Sequence, residues 1–269
     1  WLQTADTSFS SEFNGNKPAD VLAQRPEMVI FWAGYAFSKD YSAPRGHYYA
    51  IQDMLHTLRT GSPGVDGMDD IQPATCWTCK SPDVPRMMQA MGVEAFYNQK
   101  WSAMGSEIVN PIGCADCHDT ETMDLRISRP ALIEAFGRMG KDITKATHQE
   151  MRSLVCAQCH VEYYFNADST PVFPWSKWKK GEPFKIENFD QYYDEQLAKE
   201  DGFKSDYIHK DTGAKIVKMQ HPESELFSTS VHARSGVTCA DCHLPYKRSG
   251  SEKITDHFMV TPFNNLTAS

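Results

Sequence analysis

Apolar residues recur at helical spacing in several short segments of this chain, beginning near residue 18. Pro18 stands just before Asp20, and a proline at this place suits the first turn of a helix. The apolar positions that follow are three and four residues apart, which is typical of an amphipathic helix. They are Met28, Val29, Phe31, Trp32, Tyr35 and Ala36. We expect this wide apolar face to pack in the core.

The same pattern predicts further helices separated by loops rich in glycine and proline. Helices are predicted over residues 48–59, 84–97, 128–139 and 189–199, the first ended by Gly61 and Pro63 and the third begun near Pro130. Thr147 and Glu150 have the spacing of a capping box, so another helix is predicted to run through Val155. Residues 1–17 are predicted to be an extended arm, 61–75 a loop and 181–190 a linker. With no strand-turn-strand series, the predicted fold class is mainly α with much irregular loop structure.

Composition sets limits on partners. The chain has 269 residues, which we expect to form a single domain, and its formal net charge is −8. An acidic protein of this kind is a poor partner for nucleic acid or for an anionic membrane surface, and an anionic substrate would need a local positive pocket. No stretch approaches the ~20 consecutive apolar residues of a membrane span.

All eight cysteines fall into four CxxC pairs with unequal gaps between them. The pairs are Cys76 with Cys79, Cys114 with Cys117, Cys156 with Cys159 and Cys239 with Cys242, and the last three are followed by His118, His160 and His243. We call residues 76–80, 114–118, 156–160 and 239–243 the first, second, third and fourth motifs. CxxCH attaches a c-type haem through two thiols and an axial imidazole, whereas a zinc ribbon or disulfide framework does not predict the trailing histidines. The chain is therefore predicted to be a multihaem cytochrome c wrapped around four closely packed haems.

The first motif reads CWTCK, so Lys80 stands where the other motifs have histidine. An amine binds iron only without its proton, and free lysine has a pKa near ~10.4, so burial and the metal must remove that proton. A haem ligated by lysine is predicted to keep its other face open for substrate, whereas haems with two histidines suit electron transfer. Two alternatives stay open: the pair holds no haem, or Lys80 lies beside a histidine supplied elsewhere.

Seven other histidines are candidates for distal haem ligands, and their spacing does not pair them with the motifs. They are His47, His56, His148, His209, His221, His232 and His257. Two further classes of function remain open on these residues. One is a non-enzymatic electron carrier in which every iron has six ligands, and the other is a lysine-ligated reductase of sulfur oxyanions such as tetrathionate.

Three longer segments carry a resemblance to a known family. Residues 76–84 read CWTCKSPDV after LRTG at residues 58–61, residues 159–165 read CHVEYYF, and residues 218–223 read KMQHPE. They resemble the ammonia-forming cytochrome c nitrite reductases, which are periplasmic enzymes with five haems. The likeness extends from about Val29 to the end of the chain, and few families combine CxxCK with CHVEYYF.

The resemblance implies a six-electron reduction of nitrite to ammonium at the haem of the first motif. Lys80 would be its proximal ligand, and Arg59, Tyr163 and His221 would line the open face. A guanidinium stabilises bound nitrite and the charge that develops as N–O bonds break. The phenol and the imidazole can supply or relay protons.

A calcium ion is implied next to this site. The side chains of Glu162 and Gln220 and the backbone carbonyls of Tyr163 and Lys218 would bind it, an all-oxygen set that suits a hard cation. On spacing alone Glu162 would be interpreted as a surface acid, and Arg59 as a cation at a helix C-terminus.

The resemblance also assigns distal ligands. His47 would serve the haem of the third motif, His257 that of the second, and His232 a fifth haem whose motif is absent here. The chain stops about where the family places that motif and lacks the C-terminal helices that follow, which carry another ligand and much of a dimer interface. The 269 residues are therefore expected to be part of a longer chain. His56, His148 and His209 receive no role.

The same likeness implies the partners and the location. Electrons would come from a quinol-oxidising membrane cytochrome or from a small soluble donor, and the full-length protein would be a homodimer. Covalent haem attachment takes place outside the bacterial cytoplasm, so we expect a periplasmic protein whose leader has been removed or is not included in this chain.

Overall fold

The computed structural model describes residues 18–43, 45–60, 72–176, 178, 182, 184–257, 259 and 262. Short helices dominate this part of the chain, with long irregular connections between them. The α-helices are α1 (Val21–Gln24), α2 (Met28–Phe31), α3 (Ala50–Leu55), α4 (Asp83–Met91), α5 (Val93–Tyr97), α6 (Cys114–Cys117), α7 (Pro130–Arg138), α8 (His148–Ala157), α9 (Ile186–Ala198), α10 (Glu223–Ser228), α11 (Val231–Arg234) and α12 (Cys239–His243). Short 3-10 helices cover Ala36–Ser38, His47–Tyr49, Leu58–Thr60, Ala74–Trp77, Ser102–Met104 and Ile143–Lys145. The predicted arm 1–17, most of the predicted loop 61–75 and residues 263–269 lie outside the described residues.

Strands occur only as small antiparallel pairs within these residues. The pairs are β1 (Ala19–Asp20) with β2 (Ser42–Ala43), β3 (Tyr164–Phe165) with β4 (Pro171–Val172), β5 (Tyr207–Ile208) with β6 (Lys215–Ile216), and β7 (Tyr246–Ser249) with β8 (Glu252–Thr255). The last pair is a hairpin in which Ser249 faces Glu252 across a two-residue turn begun by Gly250 at φ 64°. This hairpin could not be predicted from the sequence, because its strands are exposed and lack an alternating apolar pattern.

The single helix predicted after Pro18 is wrong. Pro26 lies between α1 and α2 and interrupts the helix. Proline has no backbone N–H to donate, and it disfavours helical geometry in the residue before it. The predicted core face is also wrong in part, because Val29 is 43% exposed and Phe31 61% exposed. Tyr35 instead packs against Tyr207 with ring centroids 4.9 Å apart, which holds the N-terminal segment against the β5–β6 pair.

Most other predicted helices occur, with different ends. The capping box of Thr147 and Glu150 is confirmed: the carboxylate accepts from the Thr147 amide at 2.8 Å, and the Glu150 amide donates to the threonine hydroxyl at 3.2 Å. The helix predicted over 128–139 is confirmed as α7, with Pro130 at its start. The one predicted over 84–97 is divided into α4 and α5 at Gly92, whose φ of 93° ends the first helix. The helix α9 begins inside the predicted linker, at Ile186.

Within the described residues, three hydrophobic clusters take the place of a single core. One surrounds the first motif and includes Trp77 and Trp101, another lies between α7 and α8, and a third packs along α9 around Phe189. In the part of the chain that the structure describes, no helix has the length and apolar character needed to cross a membrane.

Candidate active site

The first motif is anchored by its tryptophan. Trp77 is fully buried, stacks on Trp101 with ring centroids 4.6 Å apart and donates from its indole nitrogen to the Trp101 carbonyl at 3.0 Å. The turn continues with the Lys80 amide donating to the Trp77 carbonyl at 2.9 Å. The packing of one aromatic side chain therefore fixes the backbone that carries Cys76, Cys79 and Lys80.

The cysteines of different motifs lie next to one another. Cys79 and Cys159 share a hydrogen bond that lowers the pKa of Cys79 to about 7 against the effect of burial. A bond with Cys156 is likewise the largest cause that lowers the pKa of Cys239 to about 7. The third motif therefore lies between the first and the fourth. Cys114 and Cys242 are exposed, and the other six cysteines of the motifs are half-buried.

Lys80 lies among three imidazoles. Burial, His160 and Lys80 lower the pKa of His47 to about 4, and the same three causes, in the same order, lower that of His221 to about 4. The pKa of His160 is lowered by burial, with Lys80 acting in the same direction. The neutral imidazole is the form that binds a metal, so this surrounding suits axial ligands.

Two pairs of histidines have the separation that a shared metal requires. Metal–imidazole bonds of about 2 Å place two ring centroids roughly 6 Å apart when the rings bind from opposite sides. The rings of His118 and His257 are 6.1 Å apart, and those of His47 and His160 are 6.4 Å apart. Both pairs are the ones that the resemblance implies. His160 also lies 6.1 Å from His221, so distance alone leaves two partners for His160.

The three residues expected on the open face lie around the first motif. Tyr163 and His221 have ring centroids 5.6 Å apart. Burial raises the pKa of Tyr163 well above its usual value, and Cys79 and Cys76 are the next causes, so its hydroxyl stays protonated beside the two thiols. Arg59 lies over the Phe37 ring at 4.8 Å, and burial lowers its pKa.

Glu162, Lys218 and Gln220 lie together, as the resemblance implies for a calcium site. Glu162 is fully buried, and its carboxylate accepts from the Gln220 amide at 2.5 Å. Burial raises the pKa of Glu162 to about 8, with further contributions from Glu225 and Asp206. Lys218 donates to the Gln220 side-chain oxygen. A buried carboxylate repelled by two others favours a bound cation, and the oxygen donors fit calcium.

Some site residues were not found in the sequence. Burial raises the pKa of Tyr35 to about 12, followed by Asp206 and Cys76, so this phenol lies at the edge of the first motif. Phe37 supports both Arg59 and Lys218, whose ammonium lies 5.0 Å from the ring. Both aromatic residues carry no sequence signal other than their apolar character.

Other predicted residues lie away from this centre. His232 is exposed on α11, and its role stays a prediction. His209 ties α2 to the β5–β6 pair through a 3.0 Å bond between its ring and the Ile30 carbonyl, an ordinary structural role. Among the described residues, no three or more His, Cys, Asp or Glu side chains form a group that could hold a metal ion by themselves.

Comparisons with known proteins show the family of the chain. A family model described as cytochrome c552 matches residues 1–269, and the chain belongs to the cytochrome c552 family. It is 62% identical over 267 residues to a cytochrome c-552 of Porphyromonas gingivalis (strain ATCC BAA-308 / W83), covering 99% of this chain and 51% of the relative. It is 62% identical over 263 residues to the cytochrome c-552 of Bacteroides thetaiotaomicron, covering 97% of this chain and 51% of the relative.

A solved structure has the same fold. The catalytic subunit of the cytochrome c nitrite reductase from Desulfovibrio desulfuricans ATCC 27774, a protein with two calcium sites, matches with a TM-score of 0.84 and 33% identity. The match covers 98% of this chain and 58% of that protein. The mainly helical multihaem cytochrome fold is therefore confirmed. The chain spans about half the length of the curated relatives it matches.

Proposed function

We propose that the complete protein reduces nitrite to ammonium, with six electrons, at a haem on the first motif. The observation that carries the proposal is the convergence of Arg59, Tyr163 and His221 on the motif that ends in Lys80. The family and its nitrite reductase neighbour support the same activity. A carrier in which every iron has six ligands does not need a guanidinium and a phenol buried beside one motif.

Haem c fits the four cysteine pairs, and when bound it would relay electrons from the donor and supply the iron that binds the substrate. Each pair of thiols holds one haem, and the complete protein carries a fifth. Lys80 would ligate the iron of the haem held by the first motif. His118 with His257, and His47 with His160, hold the haems of the second and third motifs, while His243 ligates that of the fourth.

One residue on the open face stabilises negative charge, and the other two donate or relay protons. The chain is acidic overall, and Arg59 is the positive group that binds the anionic substrate. The Phe37 ring beneath it holds the guanidinium in place. Tyr163 keeps its proton at neutral pH and donates a hydrogen bond to the substrate oxygens. His221 is neutral at rest and accepts and passes on protons that the reaction consumes.

A calcium site beside the first motif would hold these residues in place. Glu162 and Gln220 would bind the ion through side chains, and Tyr163 and Lys218 through backbone carbonyls. Because Tyr163 would bind calcium with its backbone and substrate with its side chain, the ion fixes the position of a catalytic group.

The setting of the reaction follows from the same proposal. The complete protein works as a homodimer in the periplasm, where covalent haem attachment occurs. It receives electrons from a quinol-oxidising membrane cytochrome or a small soluble donor.

The test uses the complete holoprotein with a reduced viologen dye as electron donor. Wild type should form one ammonium for each nitrite consumed, and turn over nitrite faster than tetrathionate. Arg59→Ala should lower kcat/KM for nitrite by about 10²–10³-fold, as expected for loss of a group that stabilises developing negative charge. All haems should remain reducible in an optical titration. Arg25→Ala, which changes an exposed arginine, is the control. Unchanged turnover in Arg59→Ala, or a wild type without nitrite turnover, contradicts the proposal.

A further inference from the structure

Arg129 is almost completely buried beside the first motif, although it belongs to none of the four motifs. Its side chain is 1% exposed. Its Nε donates to the Thr78 carbonyl at 2.7 Å, and its Nη2 donates to the Ser81 carbonyl at 2.8 Å. The same guanidinium donates to Asp116 at 2.5 Å and to the Ser128 hydroxyl at 2.6 Å. A buried arginine with all three nitrogens bonded is a rigid connector.

The two carbonyls that Arg129 binds lie on either side of Cys79 and Lys80. Thr78 is the residue before the second cysteine, and Ser81 is the residue after the lysine. One planar guanidinium thus fixes the backbone at both ends of the two-residue segment that would bind the haem and its iron. Loss of the planar fork would free both ends together.

A lysine ligand needs this backbone support more than a histidine does. In the second motif, the His118 ring places Nδ1 2.7 Å from the Met123 carbonyl, so a second ring atom orients the ligand. Lysine has a single side-chain nitrogen, and the iron would use it. The side chain of Lys80 is also a flexible four-carbon stem, so its direction must be set by the backbone from which it starts.

The same connector fixes the first motif relative to its neighbours. Arg129 binds Asp116 of the second motif through its side chain, and its backbone amide donates to the Gln158 side-chain oxygen of the third motif at 3.0 Å. Gln158 in turn donates to the Asp116 carbonyl at 3.1 Å. Three motifs are therefore held at one buried point.

We propose that Arg129 is a positioning residue that holds the Lys80 segment so that its amine meets the iron of the first motif. The inference rests on the proposed function, since it assumes a lysine-ligated haem there. Arg129 acts through backbone carbonyls and through the second and third motifs, and it does not touch substrate.

The test compares Arg129→Lys with Arg152→Lys in the complete holoprotein. Arg129→Lys keeps a positive charge for Asp116 but cannot reach both carbonyls with a planar fork. Arg152 is the matched control, because it is also buried and bonded to a motif aspartate, Asp241, at 2.7 Å, but binds no carbonyl beside Lys80. The readouts are haem content, the electron paramagnetic resonance signal of the first-motif haem, and nitrite kcat and KM.

Arg129→Lys should keep full haem content, shift or broaden the signal of the first-motif haem, and lower kcat about tenfold with a smaller change in KM. Arg152→Lys should leave that signal unchanged. A wild-type signal and kcat in Arg129→Lys overturn the inference while leaving the proposed function intact. If Arg129→Lys and the uncharged Arg129→Gln both lose haem equally from all motifs, Arg129 is a general scaffold residue and the inference is also overturned. A wild type with neither a lysine-ligated haem nor nitrite turnover contradicts the proposed function itself.

Discussion

Asp116 and Asp241 occupy the same position in the second and fourth motifs, and each uses its two carboxylate oxygens in the same way. One oxygen accepts from the backbone amide before the motif, at 2.8 Å and 2.7 Å respectively. The other accepts from a buried arginine, Arg129 or Arg152, at 2.5 Å and 2.7 Å. The residue before the second cysteine therefore caps its own helix and also ties the motif to a distant part of the chain.

Asp241→Asn should destabilise the protein by about 3 kcal/mol, because the amide can still cap the helix but leaves the Arg152 charge buried without its partner. The matched control is Glu134→Gln. Glu134 bonds Arg138 at the same 2.7 Å, but both side chains are more exposed. The control should cost about 0.5 kcal/mol. Denaturant unfolding of the holoprotein measures both, and equal losses would show that burial does not decide the value of the pair.

His257→Ala should remove the sixth ligand of the second-motif haem and convert it from low spin to high spin. The expectation rests on the 6.1 Å separation of the His118 and His257 rings. Optical and electron paramagnetic resonance spectra of the oxidised protein report the change. His209→Ala, which removes a histidine bonded to a backbone carbonyl, should leave the spectra as in wild type. A low-spin second-motif haem in His257→Ala would assign that ligand to another residue.

Glu162→Gln should abolish the effect of calcium on thermal stability. A ligand that binds only the folded state raises the unfolding midpoint by mass action, so a chelator should lower the midpoint of wild type and calcium should restore it. In Glu162→Gln the midpoint should not respond to either addition. Glu187→Gln changes an exposed acid on α9 and should respond as wild type does. A variant at Glu162 that still responds to calcium would place the ion elsewhere.

Gly34→Ala should destabilise the protein more than Gly213→Ala does. Both glycines have positive φ, 96° and 69°, so alanine costs about 1–2 kcal/mol at either position. A Cβ at Gly34 would also lie 2.5 Å from the Ile208 carbonyl oxygen, whereas nothing lies within 4 Å of one at Gly213. The difference between their thermal midpoints isolates the contact of the N-terminal segment with the β5–β6 pair. Equal thermal midpoints in the two variants would mean that the N-terminal segment can shift away from Ile208 without loss of stability.

The fold class and most of the candidate site could be predicted because the residues that define them form short sequence motifs. A CxxC pair needs no tertiary context to be recognised, and the capping box of Thr147 and Glu150 depends only on residues three apart. The distal histidines could not be paired by spacing, since His118 and His257 meet only in three dimensions. The pairing came from the resemblance.

The failures have physical causes. A face of apolar residues predicted a long first helix, but Pro26 divides it and aromatic packing around Tyr35 decides which side chains are covered. The role of Arg129 could not be predicted, because the sequence does not distinguish a buried arginine from an exposed one. Its importance lies in contacts with residues 48 and 51 positions away.

Those separations have a consequence for the order in which the protein matures. The bonds of Arg129 join residues 48 and 51 positions apart, so they exist only in the folded chain. We therefore expect haem to be attached to Cys76 and Cys79 while the backbone beside them is still unfolded and accessible, with folding around Arg129 as the later step.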